Sequence, residues 1–123
     1  MSEIRGADVS SPIARVTLDG EEFPLKFDLN AFRVAEDIYE LEYGRDVNFA
    51  RIIQQLANGK LGAVMAVLYG GICSAAAEKG QKALRWGEFA EKFRLDSIPG
   101  VTEMLMQKVA EAMPEVDKAG NPQ

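Results

Sequence analysis

Asp19-Gly20 stands between two short alternating runs, and no other feature constrains the fold as tightly. A two-residue hairpin turn needs positive φ at both central positions, which glycine adopts freely and aspartate tolerates. Closing the chain there sets Val16 opposite Phe23, Ala14 opposite Leu25 and Pro12 opposite Phe27, all on one face. Arg15, Thr17, Glu22 and Lys26 take the other face, because strand side chains alternate. Pro24 has no amide donor, so its nitrogen must point away from the partner strand. A lone two-stranded ribbon is marginal in water. Its apolar face therefore has to dock on helices or on another subunit.

The hairpin runs straight into a helix. Asp28 or Asn30 supplies an N-cap, and at about 100° per residue Phe32, Ala35, Tyr39 and Tyr43 line one side. Val34, Ile38 and Leu41 extend that side, while Arg33, Glu36, Asp37 and Glu40 fall opposite, so one face is expected to be buried. Gly44 is expected to end the helix in the αL conformation. Asp46 or Asn48 starts a short helix with Phe49, Ile52, Ile53 and Leu56 on one face, stopped at Asn58-Gly59. A long apolar helix follows from Lys60 to Glu78, with Gly80 closing the run. Gly70-Gly71 should weaken its middle by roughly 1 kcal/mol per glycine. Either the helix breaks there or another backbone packs closely against it. A second short helix spans Trp86 to Phe93, with Glu88 and Lys92 spaced to pair. The turn Asp96–Gly100, with Ser97 as cap and Pro99 in the first turn, leads to a last helix from Ile98 to Met113, expected to end before Pro114.

The fold class is therefore mainly α: a single small domain of about five helices, two of them short, with an N-terminal β-hairpin. Residues 1–11 read as a flexible N-terminus without the apolar core of a signal peptide, 12–114 as the domain, and 115–123 as a flexible polar tail. A chain of 123 residues with 47% hydrophobic and 27% charged residues suits one domain with a modest core.

Chemistry is scarce. The chain has no histidine, so Cys/His metal spacing and triads are impossible, and no phosphate-binding glycine loop or nucleophile elbow appears. Glu36 and Glu40 read as a solvated acidic face rather than a catalytic pair, having no apolar setting to shift a pKa. An enzyme is not expected, nor any cofactor or metal. Nineteen acids against fourteen bases give a net charge of −5, which repels phosphate backbones. Lys79, Lys82 and Arg85 make only a thin basic group, so nucleic acid is not an expected partner. Cys73, the single cysteine, lies in an apolar run and reads as a buried, inert thiol of a reducing compartment. Leu61–Ala77 carries no charge, but it is short for a membrane span and diluted by glycine and alanine. A core helix and a cytoplasmic protein are expected, with no membrane partner.

Methionine is the more suggestive residue. Met104, Met106 and Met113 join Val101, Leu105, Val109 and Ala112 on the last helix and widen its apolar arc to about 200°. Flexible thioethers fill irregular cores, and they also suit surfaces that grip variable apolar partners.

One family resemblance is carried by Val16-x-Leu18-Asp19-Gly20-x-x-Phe23-x-Leu25-x-Phe27-Asp28, leading into a helix with Phe32 and Glu36. This resembles the opening of the tail assembly chaperones of long-tailed bacteriophages and prophages. Val67–Gly71 is similar to that family's central apolar helix, Trp86–Phe89 to its short acidic helix, and Val109–Pro114 to its closing helix. The resemblance spans roughly residues 13–114. The chain departs from the pattern in the alanine-rich Ala75–Arg85 and in Trp86-Gly87 where a Thr or Ser cap is usual.

The resemblance implies a helper that binds the helical, apolar tape measure protein before the tail tube polymerises and is then displaced, acting in the host cytoplasm and absent from the mature virion. Such chaperones often come in two lengths, the longer made by frameshifting and reaching the tail tube protein; the branch would fall in the tail after Glu115. Self-association is expected, through the hairpin edge. The surface for client or self-association is expected to include Val16, Leu18, Phe23, Met104, Met106 and Met113. Two rival roles are a structural morphogenesis protein of the head–tail connector or tail-completion type, and an acidic helical adaptor or DNA mimic.

Overall fold

Asp19 and Gly20 both take positive φ, 53° and 80°, and close the hairpin as the dipeptide requires. Strands β1 (Ala14–Leu18) and β2 (Glu21–Leu25) pair antiparallel with Val16 opposite Phe23 and Ala14 opposite Leu25. The computed structural model describes residues 14–44, 48–93 and 98–120, with side chains in the last helix described from 100 to 112. The expected pairing of Pro12 with Phe27, the looseness of residues 1–11 and the caps at Asp46 and Ser97 lie outside the described residues.

Five helices follow: α1 (Leu29–Tyr43), α2 (Phe49–Ala57), α3 (Leu61–Glu78), α4 (Trp86–Lys92) and α5 (Ile98–Gly120). The architecture is a mainly helical small domain with an N-terminal two-stranded antiparallel hairpin. At the α1 N-terminus Asp28, rather than Asn30, is the cap. Its Oδ1 accepts from the Ala31 amide at 2.9 Å and from the Ser74 hydroxyl at 2.6 Å. Asn48 caps α2 by accepting from the Arg51 amide at 2.8 Å. Gly44 does end α1, donating its amide to Glu40 at 2.9 Å, but with φ 100° and ψ −175°. That is not the αL conformation; it is an extended continuation at positive φ, which favours glycine all the more.

Helix α3 forms the centre. It is hydrophobic nearly all round, and residues from Ala63 to Ala75 are buried except for the half-buried Met65 and Cys73. By length and composition it is apolar enough to cross a membrane, with mean hydropathy 1.5, yet 61% of it is buried against its own neighbours. The helix does not break at Gly70-Gly71. Instead α1 runs antiparallel along it and its backbone comes close: a Cβ placed on Gly70 would collide with the Ala31 carbonyl oxygen and lie 3.2 Å from its carbon. On Gly71 a Cβ would meet the Phe27 ring at 2.8 Å and Leu25 at 3.3 Å. The adjacent glycines thus serve different neighbours, α1 on one side and the hairpin exit on the other. Lys26 strengthens that second contact by donating its amide to the Gly71 carbonyl at 3.1 Å.

Two expectations for the later helices fail. Glu88 does not pair with Lys92. It accepts from the Arg85 amide at 3.1 Å and caps α4, while Lys92 lies 3.5 Å from Glu21 at the hairpin turn. Helix α5 does not stop before Pro114 but continues to Gly120. Proline removes one intrahelical donor, and the following Glu115, Lys118 and Ala119 are good helix formers that carry the helix on.

The tight α1–α3 contact gives opposite expectations for two helical glycines. Gly70→Ala should destabilise the fold by about 1–3 kcal/mol, because the Ala31 backbone must move. Gly87→Ala, where an added methyl meets nothing within 4 Å, should stabilise by about 0.5–1 kcal/mol. Urea denaturation of the two variants beside the parent checks both signs.

Candidate functional surface

The residues expected to form a client surface do not converge. Val16 (7% exposed) and Leu18 (1%) belong to the chain's own core, since the hairpin's apolar face docks on α3. Phe23 is half-buried against the same core. On α5, Val101, Leu105 and Val109 are buried, and Met104 and Met106 lie half-buried on either edge of that stripe. Two residues apart, these methionines are about 200° apart round the helix, so they bracket the buried face rather than share one. Met113 lies within the helix, its side chain outside the described residues.

The open apolar side chains are elsewhere: Leu41 (74% exposed), Tyr43 (59%), Leu29 (51%) and Leu61 (40%). Tyr43 lies across Gly62 near the start of α3 and packs on Tyr39 at 4.8 Å between ring centroids. Leu41 corrects the expectation that it extends the buried face. It sits nine residues after Phe32, about 180° round the helix, beyond the arc that α3 covers. With half-buried Val34 and Ile38 it makes an i, i+4, i+7 row along one flank of α1. The sequence contained this signal, because an apolar arc wider than the buried stripe must leave an edge in water.

An aromatic cluster joins α1, α3 and α4. Trp86 meets Tyr69 edge-on at 5.2 Å and stacks on Phe89 at 5.5 Å, and its indole N–H donates to Glu42 at 3.0 Å. The Tyr69 hydroxyl donates to the Leu84 carbonyl at 2.7 Å. Burial, together with neighbouring Cys73, holds the Tyr69 phenol well above its ordinary value. Burial likewise raises the Cys73 thiol, partly offset by the neighbouring Tyr69 hydroxyl.

Beside the hairpin, a groove of about 410 Å³ runs between β2 and the segment 81–84, floored by Ile72, Ala76 and Leu84. Its rim acids are partnered: Glu21 with Lys92 and Glu22 with Arg15, each at 3.5 Å, and Glu88 with the Arg85 amide. Among the described residues no group of three or more Cys, Asp or Glu is placed to hold a metal ion. Compared with protein-family models, with curated proteins and with solved structures, the chain matches none.

The shifts resolved for Tyr69, Cys73, Tyr43 and Lys26 all point upward, for Lys26 chiefly through its hydrogen bond to Glu78. In each case the folded chain holds its proton to higher pH than the unfolded chain. Their stabilisation is complete below the unfolded values and is lost as pH rises through the folded ones. The urea midpoint should therefore stay level from pH 7 to about 8.5, decline as unfolded thiol ionises, and fall faster above about 10. Tyr69→Phe should remove part of the fall above pH 10 while costing about 1 kcal/mol at pH 7, because the Leu84 carbonyl loses its donor.

Proposed function

We propose that this chain is a phage tail assembly chaperone, which binds and solubilises the tape measure protein before tail tube polymerisation and is then displaced. The observation that supports the reading is the apolar edge of α1, where Leu41 stands 74% exposed beside Val34 and Ile38, both half-buried against the core, on a helix otherwise charged on its outer side. Rows of this spacing are what one helix offers another. The resemblance across residues 13–114, from the hairpin into this helix, supplies the client's identity. Many copies along one client would gain avidity from modest single contacts. The acidic surface keeps such an assembly soluble. On this reading the protein acts in the host cytoplasm, associates with itself on the client, reaches the tail tube protein through a longer frameshifted form, and is missing from purified particles.

Co-expression with the longest helix-rich protein encoded just downstream tests the proposal. The client should be soluble only with this chain and elute with it as a large multi-copy complex. Leu41→Glu should abolish that rescue while leaving stability within about 0.5 kcal/mol, the expectation for an exposed position. A client soluble by itself that ignores this chain would sink the reading. Detection of the chain in purified virions would favour a structural morphogenesis role instead.

A further inference from the structure

The two edges of the hairpin are not alike. A two-residue turn makes Leu18–Glu21, Val16–Phe23 and Ala14–Leu25 the pairs that exchange ladder bonds. The amides and carbonyls of Arg15 and Thr17 therefore point outward from β1. From β2 the Glu22 amide and carbonyl and the Pro24 carbonyl point outward. Proteins guard exposed edges with proline, charge, bulges or a covering segment. On β2, Pro24 withholds a donor, Glu21 and Glu22 bring negative charge, and segment 81–84 faces the strand across the groove. β1 lacks these guards. Its residues run in unbroken register without proline or acid, and among the described residues Arg15 and Thr17 make no backbone bond outside the hairpin. Arg15, the strand's one charge, is balanced by Glu22 at 3.5 Å. Helix α3 packs against β2, which leaves β1 on the hairpin's outer side.

We propose that β1 pairs edge to edge with β1 of a second copy, antiparallel and centred on Val16, in a four-stranded sheet of order β2-β1-β1-β2. The register follows from the outward-facing groups. Centring on Arg15 would set two guanidinium groups directly opposite, which like charges disfavour. Centring on Thr17 would run Arg15 against Asp19 of the second copy, a turn residue at φ 53° that cannot extend the ladder. Centring on Val16 sets each Arg15 opposite Thr17 of the other copy, twice by symmetry, for about four backbone hydrogen bonds. It also sets Val16 against Val16 and Ala14 against Leu18, so the two buried faces join. For a chain of net charge −5, β1 is the edge where two copies meet without setting acid against acid. The proposal stands on the hairpin alone, and it gives the self-association of the chaperone reading a surface.

Amide exchange followed by NMR on the full chain tests this between about 20 μM and about 1 mM, where so small an interface associates. The Arg15 and Thr17 amides should exchange about threefold more slowly at the higher concentration, as a dissociation constant of about 0.2 mM gives, and the Glu22 amide should not change. Thr17→Lys should erase the concentration dependence, because each lysine faces Arg15 of the other copy. It should keep the hairpin, where Glu22 lies directly opposite. For the register, Arg15→Cys and Thr17→Cys chains, both with Cys73→Ala, are mixed and oxidised. The mixed disulfide should outrun either like pair, since only the unlike positions lie opposite.

Protection that does not change with concentration would mean that the chain covers its own edge, and would overturn the inference. Fast exchange at every concentration, an unchanged response in Thr17→Lys, or a preference for like disulfides overturns it too. The experiment contains no client, so its failure leaves the chaperone reading standing, and a failed client rescue leaves the β1 pairing untouched.

Discussion

The close approach of the α1 backbone to α3 at Gly70 is the contact on which the rest of the fold depends. Helices usually pack at 8–10 Å, a spacing set by the side chains between them. Here the Ala31 carbonyl occupies the space a Gly70 side chain would need. Small residues at four-residue spacing (Gly62, Ala66, Gly70 and Ser74) give α3 a shallow channel, and α1 crosses it with Ala31 and Ala35, both fully buried. Only at such a distance can Asp28 cap its own helix and accept from the Ser74 hydroxyl at the same time. Lys26 then reaches Glu78 at 2.9 Å, and the hairpin exit is fixed against the C-terminal half of α3.

Much of this arrangement was legible because it follows from local chemistry. Asp-Gly dictated the turn and with it the register, while short acceptors preceding apolar periodic runs narrowed each cap to two residues, of which the structure uses Asp28 and Asn48. Gly70-Gly71 was legible only as a pair of alternatives. Nothing local to α3 says whether a second backbone will arrive, and that depends on where α1 lies. The partner of Lys92 was misread for a similar reason: a spacing of four residues permits a pair with Glu88, but the α4 N-terminus claimed that carboxylate first. Continuation of α5 through Pro114 shows the opposite bias, in which one unfavourable residue was weighed above several favourable neighbours.

The candidate surface was less legible than the fold. Alternation correctly placed Val16, Leu18 and Phe23 on one face, but alternation cannot say whether that face meets the same chain or another one. The core claimed it. On α1 the alternation of faces leaves Leu41 in water, because it falls outside the arc that a single partner helix covers. The methionines of α5 suited either role, and those described sit at the margins of the core.

Trp86 is the chain's single tryptophan, placed where α1, α3 and α4 meet. Its indole is in contact with two aromatic rings and a carboxylate, each from a different helix. Its emission is therefore an intrinsic optical gauge of how those helices are joined. Because Glu42 belongs to α1 and the indole to α4, any shift of α1 against α4 would alter the electric field at the indole, and the protein would report it without a label.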